Sequence, residues 1–480
     1  MIEYEVRPES TEYIAGEELA IRVRVANHGA TPIRIPDPEM RNSTQPVHSL
    51  IGPGWPEGIR FTNARLLHSD DEGLAGDANE HLISIEPGAE WSGVFSPNSF
   101  IGAAEGGDYR LASQLVFDEV KAESQQTAFK IRPLRPGSIH LGLGVRPMET
   151  GEGEGAFIDA GALYTFTFME LRPGIGEAEV MAPIRRTAVD QTATDVGVPW
   201  RNAPFLNELL RWIVWREGRQ VKALSSTMTE PMSVALPGDV SRLVHPPLKV
   251  TGQPVEVFAV SADGRTLHLT TIGGQPGETP RGAVAWSVPL PAAPGPITTA
   301  LGPAASGSER HLAYVVNRGA GFDVFHSRFK EGGRPDAFRN VRAENGPVIP
   351  ASTIALFANA AGAATVGAVS CSGPDRRSCA LVEATFGPDG QADAPKVTPL
   401  GTLPAAPVDA AVQYADKNGA LDRRTVVVKL DNGQLLKLQG TALVPVSVQG
   451  TPSSPILLAP GKQTTYILYV ETGGLHLEAL

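Results

Sequence analysis

Alternating apolar and polar residues recur in short runs along the whole chain. The run from Leu19 to Ala26 alternates with period two and breaks at Asn27-His28-Gly29. Further on, Ile83-Ser84-Ile85 and the run from Trp91 to Phe95 flank the turn-forming triplet Glu86-Pro87-Gly88. Such runs are typical of half-buried β-strands bounded by turns. The front of the chain is therefore predicted to be a β-sandwich.

A longer repeat organises the rear of the chain. Each repeat has an apolar strand, a second strand, a tight turn, a third strand and usually a fourth. Four short strands recurring every 45 to 60 residues or so are typical of β-propeller blades. The prolines that lead the repeats, 43 to 60 residues apart, are Pro204, Pro247, Pro296, Pro347, Pro407 and Pro455.

Two turns give the clearest local support for hairpins in this repeat. One run, Val255 to Val260, precedes Asp263-Gly264, and another, Val426 to Val428, precedes Asn432-Gly433. Asp-Gly and Asn-Gly supply the positive φ angles that tight hairpins need. The repeats are therefore predicted to be antiparallel sheets.

The chain is predicted to be all-β, with an immunoglobulin-like sandwich at residues 1–175 and a propeller of about six blades at residues 176–480. Seven blades is the alternative. The last repeat has room for about three strands, so we expect a strand at residues 179–184 to complete its sheet and remove an exposed edge. The glycine-rich segment at residues 151–155 is predicted to be a surface loop.

Composition agrees with short strands and limits the partners. The chain has 51 glycines and 41 prolines, as expected for many turns. Its formal net charge is −11, and residues 1–175 hold 26 acidic against 14 basic side chains. No basic stripe is present, which excludes a nucleic-acid-binding surface. The acidic residues between 68 and 81 are predicted to be a solvated loop, with a calcium site as the alternative.

Nothing in the sequence predicts membrane insertion. The first residues, Met1 to Val6, alternate as a strand and lack the basic and apolar segments of a secretory signal. The uncharged stretch 346–374 contains prolines and many alanines and glycines, which would insert poorly. The predicted location is the cytoplasm, or outside the cell by a route without a classical signal peptide.

Cys371 and Cys379 flank a predicted hairpin loop and could face each other across it. A disulfide closing this loop would stabilise the fold by roughly 2 to 3 kcal/mol. Free thiols in a reducing compartment are the alternative.

Two sequence resemblances extend these predictions. The pattern Gly107-Asp108-Tyr109, together with Glu86-Pro87-Gly88, resembles accessory immunoglobulin-like modules of bacterial proteins. That resemblance implies only a fold, with Tyr109 closing a strand corner through its hydroxyl group. The runs from Val255 to His268 and from Phe322 to Phe329 resemble the blades of bacterial and fungal propeller lectins. This second resemblance implies glycan contacts by His268, His326 and Arg328.

No catalytic residue, metal site or cofactor is predicted, because the sequence lacks the motifs for nucleophilic catalysis and for zinc. Ser261-Ala262-Asp263 is a partial match to the repeated box of sialidase-type propellers. The function predicted from sequence is non-enzymatic: a protein-binding or scaffolding protein that uses the propeller face or rim, with another protein as its partner. The alternatives are a glycan-binding propeller lectin and a propeller hydrolase.

Overall fold

The computed structural model shows strands and turns, and no helix, throughout the described part of the chain. This confirms the all-β prediction. The acidic segment between residues 68 and 80 lies outside the described residues. Those that are described are 1–40, 43, 45–63, 66–67, 81–97, 106–135, 140–145, 152–172, 177–181, 183–198, 200–203, 208–225, 228–245, 255–273, 281–301, 309–330, 332–417, 420–452, 456–460, 464–471 and 473–480.

Contacts between residues divide the chain into two compact units. The first unit comprises residues 1–135, 182–185 and 472–475, and the second comprises residues 136–181, 186–471 and 476–480. The main division thus lies at residue 135, before the boundary predicted near residue 175. The reason is that the strands between residues 140 and 172 alternate like those of the front but pair with one another in a sheet of the second unit.

The first unit contains a three-stranded sheet, a larger seven-stranded sheet and a two-stranded ribbon. The strand orders are β1-β3-β9, then β2-β12-β10-β5-β6-β7 with β11 beside β10, and β4-β8. The strands are β1 (Ile2–Pro8), β2 (Glu12–Ile14), β3 (Ile21–Asn27), β4 (Ile33–Pro36), β5 (Val47–Gly52), β6 (Trp55–Phe61), β7 (Leu66–Leu67), β8 (Leu82–Ile85), β9 (Glu90–Phe95), β10 (Gly107–Phe117), β11 (Val120–Glu123) and β12 (Thr127–Arg132).

Alternation in these strands buries one apolar core. Tyr109 is fully buried in that core and stacks on Phe129, with 5.6 Å between ring centroids. The immunoglobulin-like assignment and the tyrosine corner stay predictions. One histidine, His48, is also fully buried and lies between the rings of Phe61 and Phe95, and neither of its ring nitrogens has a hydrogen-bond partner in the described part of the chain.

The second unit is built from consecutive antiparallel sheets. The first three sheets consist of β13 (His140–Val145), β14 (Glu152–Asp159), β15 (Ala162–Arg172), β16 (Glu177–Val180) and β17 (Ile184–Ala188); of β18 (Ala193–Gly197), β19 (Trp200–Ala203), β20 (Glu208–Glu217), β21 (Gln220–Ser225) and β22 (Met232–Ala235); and of β23 (Val240–Val244), β24 (Val255–Ser261), β25 (Thr266–Gly273) and β26 (Arg281–Pro289).

The remaining sheets follow in chain order. The fourth to seventh sheets consist of β27 (Ile297–Leu301), β28 (Glu309–Arg318), β29 (Gly321–Lys330) and β30 (Arg339–Ala343); of β31 (Ala355–Ala358), β32 (Ala364–Ser372), β33 (Ser378–Phe386) and β34 (Lys396–Thr402); of β35 (Pro407–Lys417), β36 (Ala420–Leu430), β37 (Leu435–Gln439) and β38 (Ala442–Val446); and of β39 (Leu457–Pro460), β40 (Thr465–Glu471) and β41 (Gly474–Ala479).

The first strands of these sheets contact one another in a closed cycle. Each first strand contacts the first strand of the following sheet, and β39 of the last sheet contacts β13 of the first. Repeated four-stranded antiparallel sheets in such a cycle are the arrangement of a β-propeller, which confirms the predicted fold class. The described residues of this unit form seven such sheets, and the blade count of six or seven stays a prediction.

The segment predicted to complete the last sheet lies elsewhere. Glu179 and Val180 belong to β16 and pair with Met169 and Phe168 of β15, so they extend the first sheet. The last sheet has three strands in the described part of the chain. The prediction that residues 179–184 close the ring is therefore wrong. β16 pairs with β15, the strand that directly precedes it in the chain, and not with the last sheet.

The glycine-rich segment predicted as a loop is part of a strand. Gly153 and Gly155 lie in β14, opposite Phe168 and Phe166 of β15. A Cβ at either glycine would lie about 2 Å from the facing phenylalanine ring. These glycines are therefore needed so that the rings can lie flat across the strand.

Glycines also occupy the two predicted hairpin turns. Gly264 and Gly433 have φ angles of +69° and +83°, in the left-handed region that favours glycine. In each turn the preceding side chain, Asp263 or Asn432, accepts a hydrogen bond from the backbone N–H two residues ahead. A turn lies at each predicted position, but only the glycine has a positive φ, so neither is a two-residue turn with two positive φ angles.

The fifth sheet contains both cysteines and the uncharged stretch. Cys371 in β32 lies opposite Cys379 in β33, and their sulfur atoms are bonded at 2.06 Å. The stretch 346–374 contributes β31 and β32 to this sheet. No helix in the described ranges is long and apolar enough to cross a membrane.

Candidate functional site

Two of the three predicted glycan contacts lie side by side on one strand. His326 and Arg328 are two residues apart in β29, so their side chains share one face of the fourth sheet. The neighbouring strand β28 places His311 directly opposite Arg328 and Ala313 opposite His326. The hairpin register thereby brings a second histidine to this face.

The two histidines form a buried pair. His311 Nδ1 and His326 Nε2 are 3.0 Å apart, within hydrogen-bond distance. The His326 ring also stacks on Phe386 of the fifth sheet, at 4.8 Å between centroids. His311 is fully buried, and its Nε2 has no hydrogen-bond partner among the described residues.

Burial keeps both histidines neutral. Removal from water, with a smaller contribution from the positive charge of Arg328, lowers the pKa of His311 to about 4. Burial likewise lowers the pKa of His326 to about 3, with contributions from His311 and Arg328. Around neutral pH the pair therefore offers hydrogen-bonding nitrogens and no charge.

Arg328, next to the histidine pair, is both charged and partly exposed to solvent. Its side chain is 40% exposed. Its Nη1 lies 3.8 Å from Glu309 Oε1, and its Nε lies 3.6 Å from Asp336 Oδ2. Both distances exceed that of a direct hydrogen bond, so the guanidinium keeps donors available. We call Glu309, His311, His326, Arg328 and Asp336 the Arg328 cluster.

The loop that carries Asp336 is fixed by neighbouring groups. The Asp336 N–H donates to the Arg328 carbonyl at 2.9 Å, and Ser327 Oγ donates to the Asp336 carbonyl at 2.8 Å. Earlier in the same loop, the Gly332 N–H donates to Glu256 Oε1 of the third sheet at 2.8 Å. Glu256 also accepts a hydrogen bond from Arg310 Nε at 3.0 Å, in an ion pair whose side chains are only 1% and 2% exposed. Asp336 is thus held beside Arg328 by a buried framework.

His268, the third predicted contact, lies apart from this cluster. It is in β25 of the third sheet, where its Nδ1 is 2.7 Å from Ser287 Oγ. Its chain neighbours Leu267 and Leu269 pack in the apolar cluster shared with the fourth sheet. Strand alternation places His268 on the opposite face of β25, away from that interface. The structure therefore does not bring His268 together with His326 and Arg328.

Three members of the cluster, Glu309, His311 and Asp336, were not predicted from sequence. A signal for His311 exists, because a hairpin that turns between Arg318 and Gly321 places it opposite Arg328. No comparable signal exists for Asp336, which reaches Arg328 through a loop. In the described part of the chain, no group of three or more His, Cys, Asp or Glu side chains could hold a metal ion.

Comparison with known proteins gives similarity at the level of fold. No family model matches the sequence, and no curated protein matches it. AofleA from Arthrobotrys oligospora is 11% identical, with a TM-score of 0.39 over 66% of this chain and 89% of that chain. The α-L-arabinanase of Penicillium chrysogenum, complexed with arabinobiose, is 9% identical with a TM-score of 0.36 over 73% and 96%. The GH93 α-L-arabinofuranosidase of Fusarium graminearum, also with arabinobiose, is 12% identical with a TM-score of 0.34 over 60% and 93%.

The predicted function requires correction at this point. The prediction of a protein-binding scaffold is contradicted: the structures of similar fold named above include an α-L-arabinanase and an α-L-arabinofuranosidase with arabinobiose, and they favour the predicted alternatives of a glycan-binding protein or a hydrolase.

Proposed function

We propose that this chain is a glycan-binding protein that holds a neutral sugar at the Arg328 cluster. The observation that carries the proposal is the position of Arg328, a 40% exposed guanidinium with a carboxylate within 4 Å on either side. Sugar hydroxyls both donate and accept hydrogen bonds. Neighbouring hydroxyls can accept from the guanidinium and donate to Glu309 or Asp336 at the same time.

The charges of the cluster favour a neutral ligand over an acidic one. Arg339, opposite His326 in β30, brings a second guanidinium to the face that holds the two carboxylates, so these charges balance, and the histidine pair stays neutral because burial lowers the pKa of both rings. A sialic or uronic acid would bring a further negative charge next to Glu309 and Asp336, which is unfavourable. Neutral hexoses and pentoses carry no such penalty.

The cluster is also held in place before any ligand arrives. Two hydrogen bonds hold the main chain at Asp336, although its side chain is 67% exposed, and the His326 ring is held by stacking on Phe386 and by its contact with His311. Groups that are already ordered lose little conformational entropy on binding, so a site of this kind can bind a small polar ligand.

The test is a glycan array followed by calorimetric titration of the strongest neutral ligand. We expect Arg328→Met to weaken binding at least tenfold. Arg318→Met is a matched control, because Arg318 is an exposed arginine on the same hairpin that pairs with Asp323 at 2.6 Å at the opposite end. Silence of the wild-type protein on the array, or equal binding by Arg328→Met, would overturn the proposal.

Hydrolysis of the bound glycan is the second candidate function. It is favoured by one observation, that Glu309 and Asp336 both approach Arg328, since glycosidases use a pair of carboxylates. The bound glycan is incubated with the wild-type protein and with Glu309→Gln, and newly formed reducing ends are measured. Release by the wild-type protein alone would assign a hydrolase, and release by neither leaves binding as the function.

A further inference from the structure

A serine and a histidine lie side by side on the third sheet, apart from the Arg328 cluster. The register of β25 and β26 places Ser287 directly opposite His268, and Ser287 Oγ is 2.7 Å from His268 Nδ1. A hydroxyl group in hydrogen-bond contact with an imidazole is an arrangement in which the hydroxyl can be activated as a nucleophile. No sequence motif marks this pair, because its members are 19 residues apart and meet only through strand pairing.

The two side chains differ in exposure as a nucleophile and its base require. Ser287 is exposed to solvent, so a reactant can approach it. His268 is only 6% exposed, and burial lowers the pKa of its ring. Around neutral pH the imidazole is therefore uncharged and can accept a proton.

His268 is held in position by the sheet around it. Its strand β25 lies between β24 and β26, with Ala259 opposite His268 on one side and Ser287 on the other. Its chain neighbours Leu267 and Leu269 are fully buried. The described residues give His268 Nε2 no hydrogen-bond partner, so that nitrogen can carry the ring proton while Nδ1 accepts from Ser287.

The main chain at Ser287 provides a free hydrogen-bond donor. The Leu290 N–H donates to the Arg265 carbonyl, and bonded and non-bonded pairs alternate along antiparallel strands. Counted along the register from that bonded pair, His268 and Ser287 form a non-bonded pair, so the Ser287 N–H points away from β25. β26 is the last strand of its sheet, and that N–H has no partner among the described residues. It is therefore free to bind an oxygen atom that develops negative charge.

We propose that Ser287 and His268 form a site for acyl transfer, in which Ser287 is the nucleophile and His268 is its general base. The substrate class is a carboxylic ester. In the described part of the chain no carboxylate bonds to His268 to stabilise its protonated form, and an alcohol is a better leaving group than the amine of an amide. The site is separate from the Arg328 cluster and does not rest on the glycan-binding proposal.

The reaction needs only this pair and water. Ser287 Oγ bonds to the carbonyl carbon of the ester while its proton passes to His268 Nδ1, and the carbonyl oxygen takes the electron pair and accepts from the Ser287 N–H. The bond from that carbon to the alcohol oxygen then breaks, and the alcohol leaves with the proton from Nδ1. Water attacks the acyl-serine in the same way, which gives the carboxylic acid and restores Ser287.

A purely structural hydrogen bond would give different behaviour. If the contact only ties β25 to β26, Ser287 reacts no faster than any other exposed serine. The test therefore measures the rate at which a fluorophosphonate probe labels Ser287, located by peptide mass spectrometry. Hydrolysis of p-nitrophenyl acetate by the same protein is measured alongside it.

We expect the full-length protein to be labelled on Ser287 at least tenfold faster than on Ser233. Ser233 is the matched comparison, because it is an exposed serine in β22, the outer strand of the second sheet, and lies opposite Lys222. His268→Asn should slow labelling of Ser287 at least tenfold, since asparagine can keep the hydrogen bond but is not a base. Ser287→Ala should hydrolyse the ester at least tenfold more slowly, and Ser233→Ala at the wild-type rate.

Three results would exclude the acyl-transfer site. These are equal labelling of Ser287 and Ser233, wild-type labelling rates in His268→Asn, and hydrolysis of the ester by Ser287→Ala at the wild-type rate. If circular dichroism shows that His268→Asn does not fold, the comparison of the two serines in the wild-type protein and the ester hydrolysis by Ser287→Ala decide the matter. Arg328→Met should keep the labelling of Ser287, so failure of the glycan-binding proposal and failure of this one are distinguishable.

Discussion

The two units differ in where their ion pairs lie. In the first unit, the ion pairs of Arg22 and Arg24 are at least partly exposed on the surface, and the fully buried His48 lies between two phenylalanine rings with no hydrogen-bond partner among the described residues. In the second unit, some charged side chains are themselves buried and bond to a neighbouring sheet. The buried Glu256–Arg310 pair links the third and fourth sheets, and Tyr414 and Arg424 both donate to Glu383 between the sixth and fifth sheets.

The difference follows from how each unit is assembled. The sheets of the first unit share one apolar core. Each sheet of the second unit packs against two neighbours, and long polar side chains can cross from one sheet to the next. The stability of the second unit should therefore depend on charged pairs, and that of the first unit on the neutrality of His48.

The largest effect is expected from breaking the buried pair. Glu256→Gln removes the negative charge that faces the buried Arg310 guanidinium, so the free energy of unfolding of the second unit should fall by about 3 to 5 kcal/mol. Urea unfolding followed by hydrogen exchange in β24 and β28 would measure this. Glu344→Gln, at an exposed pair with Arg342, is the control and should have no measurable effect. If Glu256→Gln lowers the free energy of unfolding no more than Glu344→Gln does, the buried pair does not stabilise the second unit.

The second-largest effect is expected from reduction of the disulfide, which should destabilise the second unit and leave the first unit unchanged. Both cysteines of the chain lie in the second unit, where the Cys371–Cys379 bond closes a short hairpin loop. Dithiothreitol, or the double change Cys371→Ala and Cys379→Ala, should lower the stability of the second unit by roughly 2 to 3 kcal/mol through loop entropy. Hydrogen exchange in β3 and β10 should not change. Equal losses in both units would contradict this assignment.

Low pH should destabilise the first unit through protonation of His48. Burial lowers the pKa of His48 to about 3, below the usual value of 6.5. Stability from the neutral ring is fully present above pH 6.5 and declines as the pH falls toward 3, by about 1.4 kcal/mol per pH unit. At pH 5 the loss is therefore about 2 kcal/mol. His48→Leu should remove this pH dependence from hydrogen exchange in β3 and β10, whereas His28→Gln, at an exposed histidine, should retain it.

The smallest effect concerns the histidine pair of the second unit. Because Arg328 adds to the burial that lowers the pKa of His311 and His326, Arg328→Met should raise both pKa values. The expected rise is less than about one pH unit, as for a partly solvated charge. Titration of the imidazole resonances by NMR would measure it, with Arg318→Met as the control. Unchanged values would show that burial alone keeps the pair neutral.

The sequence predicted the features of the fold that depend on neighbouring residues. Period-two alternation identified the strands, and Asp263-Gly264 and Asn432-Gly433 identified turns with positive φ. Alternation does not specify which sheet a strand joins, and so the strands at residues 140–172 were assigned to the front. The same limit explains why residues 179–184 were expected in the last sheet.

The candidate site shows the same division between local and long-range information. His326 and Arg328 share a face because they are two residues apart on one strand, and this spacing can be read from the sequence. Asp336 reaches Arg328 through a loop fixed by Glu256 of another sheet, and no spacing rule predicts that contact. His268 was grouped with the pair by resemblance, and strand alternation places it on the other face of its sheet.

The contact between β13 and β39 also bears on how the second unit folds. Most pairing in this unit joins strands that follow one another in the chain, so individual sheets can form quickly from local contacts. The junction of the first and last sheets instead joins opposite ends of the unit and carries the greatest loop-closure entropy. Completion of the ring should therefore be the slow step of folding, and a chain shortened at its C-terminus would keep most of its hairpins but lose the cooperativity of the whole.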